Sequence, residues 1–101
     1  MKHISILGST GSIGCNTLKV VEHLGDIRVA AMAAGRNITL FTEQVAAFQP
    51  ELAACADDSG AEQLERGLHS LGSFKPRILV GEEGLNAVAT HERAETVVSA
   101  T

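Results

Sequence analysis

The stretch HISILGSTGSIG, residues 3–14, decides the fold of this chain. Residues 3–7 are mostly apolar and end at a glycine, which predicts a short strand buried on both faces. Gly8, Gly11 and Gly14 follow at a spacing of three. Glycine is favoured where the backbone takes a positive φ or where something approaches it closely. Beyond Gly14 the apolar residues recur at helical spacing, so the stretch predicts a strand, a glycine-rich turn and a helix.

The rest of the chain repeats this alternation of strand and helix. Further strands are predicted at 27–34, 52–56, 77–81 and 95–101, and the last predicted helix covers 82–90. Strands that alternate with helices through short linkers are typical of an α/β domain. We therefore predict a Rossmann-type, doubly wound and largely parallel sheet of five strands with helices on both faces. Right-handed crossovers favour the strand order 4-3-2-1-5.

The first three predicted helices show apolar faces and signals for their ends. Gly25 is expected to end the first helix, Asn37 or Thr39 to begin the second, and the polar cluster 57–59 to begin the third. The residues predicted to face the core are Ile13, Thr17, Val21 and Leu24, then Phe41, Val45 and Phe48, then Ala61, Leu64, Leu68 and Leu71.

Composition narrows the possible functions. A length of 101 residues suits one domain, assigned to 1–101, and the net charge of −4 argues against a nucleic-acid-binding face. No apolar run approaches the roughly 20 residues of a membrane span, and the N-terminus does not resemble a signal peptide. We therefore expect a cytoplasmic protein. Because no covering helix follows the last predicted strand, we also expect the chain to be part of a longer protein.

Residue types that carry metal or nucleophilic chemistry are scattered along the sequence. Cys15 and Cys55 belong to no recognisable motif and are expected to be reduced and buried. The four histidines stand singly, so no metal site is predicted. Glu82 and Glu83 open a predicted helix, where acids are favourable for structural reasons alone, and residues 91–93 are predicted to be a solvated helix end. No catalytic residue is assigned.

A glycine-rich turn between a strand and a helix favours a phosphate group. The first helical turn leaves backbone N–H groups without intrahelical partners, and the helix dipole favours an anion at the same end. Gly8 would allow the tight exit from the strand, Gly11 the approach of a pyrophosphate, and Gly14 close packing of the helix. Hydroxyl donors near this point are expected from Ser9, Thr10 and Ser12. The alternative is a purely structural turn that binds nothing.

The end of the second predicted strand indicates which dinucleotide is bound. NAD-binding folds usually carry an acid there for the ribose 2′-hydroxyl, whereas this sequence has AAGRN, residues 33–37. The Arg36 guanidinium can hold a 2′-phosphate through two charge-assisted hydrogen bonds, and Asn37 can add an amide donor. The sequence therefore favours NADPH over NADH. A solvated loop charge is the alternative for Arg36.

The segment ISILGSTGSIGCNTLKVVEH, residues 4–23, closely resembles the N-terminus of the 1-deoxy-D-xylulose 5-phosphate reductoisomerase family. AAGRN matches this family as well, and QPELAACAD, residues 49–57, does so more loosely. The resemblance implies an NADPH-dependent enzyme that isomerises and reduces 1-deoxy-D-xylulose 5-phosphate to 2-C-methyl-D-erythritol 4-phosphate in non-mevalonate isoprenoid biosynthesis. It also implies which residues hold the pyrophosphate, Thr10, Gly11, Ser12 and Ile13, and which hold the adenosine 2′-phosphate, Gly35, Arg36 and Asn37.

Other family properties are implied for the full-length enzyme only. These are a divalent metal ion (magnesium or manganese), a phosphorylated sugar substrate and a homodimer. The family's catalytic and metal-binding motifs do not occur in this sequence, so the chain alone is expected to be inactive. Two alternatives stay open: the cofactor domain of another NADP-dependent oxidoreductase, of the semialdehyde-dehydrogenase type, or a non-catalytic nucleotide-binding module.

Overall fold

Strands and helices alternate along the chain in the computed structural model, which describes residues 2–34, 36–72 and 75–99. The strands are β1 (Lys2–Leu7), β2 (Ile27–Ala33), β3 (Leu52–Cys55), β4 (Arg77–Val80) and β5 (Thr96–Ser99). The helices are α1 (Ser12–Leu24), α2 (Ile38–Phe48), α3 (Asp58–Ser70) and α4 (Gly81–Ala89). Every predicted element is present. The predicted last strand extends over residues 100–101, which lie outside the described residues.

The five strands form one parallel sheet in the predicted order, β4-β3-β2-β1-β5. The chain moves from β1 to β4 in one direction and then crosses back to place β5 on the other side of β1. Open α/β sheets bind ligands outside the carboxyl ends of their strands, next to such a reversal. The topology therefore predicts that a ligand site would include the segments that follow β1 and β2.

Helices cover both faces of the sheet, as predicted, but unequally. Residues from α1, α2 and α3 share one core cluster on the first face, in which Phe41, Val45, Leu64 and Leu68 are at most 1% exposed. The second face is covered by α4, whose Val88 packs on small residues of β2 and β3. Aliphatic side chains and alanine therefore supply nearly all of this core.

The face of α1 that packs on the sheet differs from the predicted one. Ile13 and Leu24 were expected in the core, yet they are 61% and 55% exposed. The buried residues of α1 are Gly14, Leu18 and Val21. Val21 belongs to both faces, so the buried face is turned by about 70°, less than one residue, relative to the prediction. The physical reason is the close approach of Gly14 to the turn after β1, described below.

The helix ends follow the predicted signals. Gly25 ends α1 with a left-handed φ of 76°, and the side chains of Asn37 and Asp57 cap α2 and α3. Leu71, however, is 59% exposed and follows α3 instead of facing the core. At 13 residues, α1 and α3 are the longest described helices, and no described helix is long and apolar enough to cross a membrane.

Residues 91–93 match the predicted solvated helix end only in part, since Glu92 and Arg93 are exposed but His91 is not. The side chain of His91 is 14% exposed, and its Nε2 lies 3.3 Å from Oε2 of Glu51. Nη1 of Arg93 lies 3.1 Å from Oε1 of the same carboxylate. Because Glu51 immediately precedes β3, this polar cluster ties the segment after α4 to the amino-terminal edge of the sheet. The cluster therefore lies opposite the carboxyl edge, where the candidate site is found.

Candidate functional site

Backbone hydrogen bonds hold the turn between β1 and α1, residues 8–11, which we call the glycine turn. Gly8 has a φ of 78°, so the exit from β1 needs the left-handed conformation that glycine adopts freely. The N–H groups of Gly8 and Ser9 both donate to the carbonyl oxygen of Ala33, at 3.0 and 3.1 Å. Gly11 N–H donates back to Gly8 O at 3.2 Å. The glycine turn is thereby fixed to the end of β2.

The helix α1 begins at the glycine turn without a side-chain cap. Its N-cap residue is Gly11, and its first backbone bond runs from Cys15 N–H to Gly11 O at 2.9 Å. The N–H groups of Ser12 and Ile13 precede that bond, so their partners have to come from outside the helix. Both residues are exposed. Together with the positive end of the helix dipole, these amides form a surface suited to a phosphate.

Gly14 is buried behind this surface and explains the close packing of α1. A Cβ at Gly14 would lie 2.5 Å from Gly8 O and 2.6 Å from Ser9 Cα. No side chain fits there, because both neighbours are backbone atoms. Gly14 was predicted to let the helix pack closely on the sheet. Its closest contact is with the backbone of the glycine turn, directly after β1.

Ser9 does not present its hydroxyl to a ligand, contrary to the prediction. It is fully buried, and its Oγ donates to Oε1 of Gln44 at 2.8 Å. Nε2 of Gln44 donates in turn to the carbonyl oxygen of Ser9 at 2.9 Å. Thr10 is half-buried and Ser12 is exposed, so the hydroxyl of Ser12 lies nearer to solvent.

Gln44 was not among the residues predicted from the sequence, although a signal for it was present. Gln44 lies on α2, 35 residues from Ser9, and is only 7% exposed. Its position three residues after Phe41 and next to Val45 places it on the apolar face of the helix. A polar side chain on a buried helix face needs a hydrogen-bond partner, so the position of Gln44 in the sequence predicts a buried hydrogen bond.

Both cysteines are free, as predicted, but only Cys55 is buried. Burial, followed by the charge of Asp57, raises the pKa of the Cys55 thiol from 9.0 to about 11. This thiol therefore stays protonated at neutral pH. Cys15 is half-buried beneath the glycine turn, where its Sγ lies 3.6 Å from Nε2 of Gln44 and 3.7 Å from the carbonyl oxygen of Ser9.

Arg36 and Asn37 follow β2 at the same edge of the sheet as the glycine turn. Arg36 is exposed, and its guanidinium makes no ion pair with the described part of the chain. Asn37 uses Oδ1 to accept the N–H of Leu40 at 3.0 Å, which leaves its amide NH₂ as the remaining donor. Gly35, predicted to join them, lies outside the described residues.

Two cavities open beside these residues. The first, of about 260 Å³, is lined by Arg36 together with Asp57, Ser59 and Gly60 from the start of α3. The second, of about 510 Å³, is lined by the small residues Ala33, Ala34, Ala54 and Ala56 and also by Glu82 and Leu85 of α4. A cavity that carries a guanidinium, beside one lined mostly by small side chains, suits a phosphate attached to a flat ring.

Metal binding finds no support in this part of the molecule. Within the three described ranges, no group of three or more His, Cys, Asp or Glu side chains is placed to hold a metal ion. Glu82 and Glu83, which open α4 as predicted, lie in its first turn. The described residues therefore do not supply the ligands of a divalent metal site.

The parallel sheet, the glycine turn leading into an uncapped helix and the cation after β2 together define a Rossmann-type domain, the fold class that binds dinucleotides at this edge. The sequence matches the model of the 1-deoxy-D-xylulose 5-phosphate reductoisomerase family over residues 4–101. The chain belongs to this family, as the resemblance of its N-terminal segment predicted.

Curated relatives are similar over nearly the whole chain. The chain is 45% identical over 101 residues to the reductoisomerase of Prochlorococcus marinus strain MIT 9515, covering 98% of this chain and 25% of that protein. It is 46% identical over 99 residues to the chloroplastic reductoisomerase of Oryza sativa subsp. japonica, covering 97% and 21%. The chain thus spans about a quarter of the length of the curated relatives it matches.

Solved reductoisomerase structures share the fold. A crystal structure of DOX-P reductoisomerase in complex with NADPH, fosmidomycin and magnesium superposes with a TM-score of 0.87 at 29% identity, covering 100% of this chain and 24% of that one. The enzyme from Zymomonas mobilis in complex with NADPH gives a TM-score of 0.78 at 29% identity, covering 91% and 24%. These likenesses confirm the predicted fold class.

Proposed function

We propose that this chain binds NADPH, as the cofactor-binding portion of a 1-deoxy-D-xylulose 5-phosphate reductoisomerase. One observation carries the proposal. The uncapped start of α1 and the exposed Arg36 lie at the same edge of the sheet, and the hydrogen bonds from Gly8 and Ser9 to Ala33 O hold their two loops together. Family membership and the NADPH complexes of related structures support the same assignment.

The pyrophosphate is proposed to lie against Thr10, Gly11, Ser12 and Ile13. The exposed N–H groups of Ser12 and Ile13 supply the donors, and the dipole of α1 stabilises the negative charge. Gly8 and Gly14 act differently, because both are buried. They shape the turn through a positive φ and a close backbone contact.

The adenosine end is proposed to lie at Gly35, Arg36 and Asn37. The guanidinium of Arg36 pairs with the 2′-phosphate, the NH₂ group of Asn37 adds a donor, and the adenine ring enters the alanine-lined cavity. Without a 2′-phosphate, NADH would leave the charge of Arg36 unused, so NADPH is preferred. When bound, NADPH supplies a hydride for reduction of the substrate.

The wider activity is part of the same proposal. Residues 1–101 form one cofactor domain, and the whole enzyme isomerises and reduces 1-deoxy-D-xylulose 5-phosphate to 2-C-methyl-D-erythritol 4-phosphate. The sugar phosphate, a magnesium or manganese ion and a second subunit are bound by parts of the full-length enzyme outside this sequence. The chain alone is then inactive, and a cytoplasmic location stays a prediction.

Titration calorimetry with NADPH and NADH tests the cofactor assignment. Arg36→Glu replaces an attraction for the 2′-phosphate by a repulsion. It should weaken NADPH binding by about 2 kcal/mol, or about 30-fold, more than it weakens NADH binding. Arg66→Glu is the matched control, because Arg66 is an exposed arginine on α3 and the net charge changes equally. Equal losses for both cofactors in Arg36→Glu would show that Arg36 does not contact the 2′-phosphate.

A further inference from the structure

We infer that Gln44 is a positioning residue for the glycine turn, which it holds in the conformation that binds the cofactor pyrophosphate. The inference rests on the proposed function, since it specifies how that same site is built. Gln44 lies on α2 and does not belong to the glycine turn, the start of α1 or the Arg36 loop. Its role would be exerted through Ser9.

Both ends of the Gln44 amide are used on the turn. Oε1 accepts the hydroxyl of Ser9 at 2.8 Å, and Nε2 donates to Ser9 O at 2.9 Å. Nε2 also lies 3.6 Å from Sγ of Cys15. Because Ser9 is fully buried and Gln44 is only 7% exposed, water cannot easily replace these hydrogen bonds.

Ser9 controls the position of the phosphate-facing amides. Its N–H is held by Ala33 O, and its carbonyl is held by Gln44, so both of its backbone polar groups are fixed. Gly14 packs directly against it, with a hypothetical Cβ only 2.6 Å from Ser9 Cα. A displacement of Ser9 would therefore shift the first turn of α1, which carries Ser12 and Ile13.

An amide suits this position better than a carboxylate. A glutamate could still accept the Ser9 hydroxyl, but it could not donate to Ser9 O. It would also place a negative charge behind a surface proposed to hold phosphates. Gln44→Glu keeps the size of the side chain, so it tests the donor and the charge together. Gln44→Met removes both hydrogen bonds without adding charge.

The experiment uses the full chain carrying Gln44→Met, Gln44→Glu or the control Thr42→Val. Thr42 lies on α2 and is also 7% exposed, but its hydroxyl bonds within the helix to Ile38 O at 2.8 Å. Two ligands are titrated by calorimetry: NADPH, and 2′-AMP, which carries the 2′-phosphate without a pyrophosphate. Amide hydrogen exchange of residues 8–14 is measured in the absence of ligand.

Gln44→Met should weaken NADPH by about tenfold and leave 2′-AMP within about twofold, with a larger loss for NADPH in Gln44→Glu. Exchange across residues 8–14 should accelerate in both variants, and Thr42→Val should change neither quantity. Equal losses for both ligands, or an unchanged affinity and unchanged exchange, would overturn the inference. Failure of the wild-type chain to bind NADPH would contradict the proposed function instead, and the exchange rates would still decide whether Gln44 holds the turn.

Discussion

Replacing Gly14 with alanine should damage the site through a single methyl group. Its Cβ would meet Gly8 O at 2.5 Å, whereas ordinary contacts begin at 3.4 Å, so the turn or the helix has to move by about 0.9 Å. Overpacking of this kind costs about 1–3 kcal/mol, and the better helix propensity of alanine offsets about 1 kcal/mol. The expected net loss in unfolding free energy is therefore at most about 2 kcal/mol.

The loss in affinity should be larger than the loss in stability. Hydrogen bonds from the main chain to phosphate require donor–acceptor distances of about 2.7–3.2 Å, so a shift of this size breaks them. Two charge-assisted bonds contribute about 1.5 kcal/mol each, which predicts a weakening of NADPH binding by about 100-fold.

Urea unfolding and calorimetric titration of the same preparations measure the two effects. Gly67→Ala is the matched control: its Cβ would lie 2.6 Å from Cγ2 of Thr42, a side-chain atom in the contact between α2 and α3, and meets no backbone of the glycine turn. Gly67→Ala should bind NADPH normally. Wild-type stability and affinity in Gly14→Ala would show that the close backbone contact does not fix the position of α1 against the glycine turn.

The remaining predictions concern stability. Gly67→Ala should destabilise by about 1 kcal/mol despite its better helix propensity, because its Cβ would lie 2.6 Å from Cγ2 of Thr42 across the α2–α3 contact. The double variant Gly67→Ala/Thr42→Ser lacks that methyl and should recover most of the loss in urea unfolding; strict additivity of the two changes would refute the clash. Cys55 should make stability fall at high pH. Its folded pKa of about 11 lies above 9.0, so its contribution is complete below pH 9 and is lost as the pH rises through 11. The chain has no tyrosine to titrate in that range, and Cys55→Ala should show a shallower decline in unfolding free energy between pH 8 and 11. Equal declines would exclude this thiol as the cause.

Much of the fold was predictable because local rules specify it. Each strand is a short apolar run, each of the first three helices has an end signal, and the linkers are too short for distant pairings. Right-handed crossovers then leave few arrangements, so the order β4-β3-β2-β1-β5 followed from the alternation alone. The positions of the glycine turn and of Arg36 followed in the same way, since the carboxyl ends of parallel strands share one edge.

Contacts between residues that are far apart in the sequence decided the other features of the structure. The orientation of α1 on the sheet depends on how closely Gly14 approaches the backbone at Gly8 and Ser9. The spacing of apolar residues in the sequence does not predict that contact. Ser9 is a second example. Its residue type and position predicted a hydrogen-bond donor to a ligand, yet its hydroxyl donates to Gln44, 35 residues away. The contact between His91 and Glu51 joins segments that are similarly far apart in the sequence. Local pattern specifies which element forms and where it ends, because it depends on neighbouring residues. Which polar groups face a ligand and which support it from behind depends on contacts that exist only once the helices have packed on the sheet.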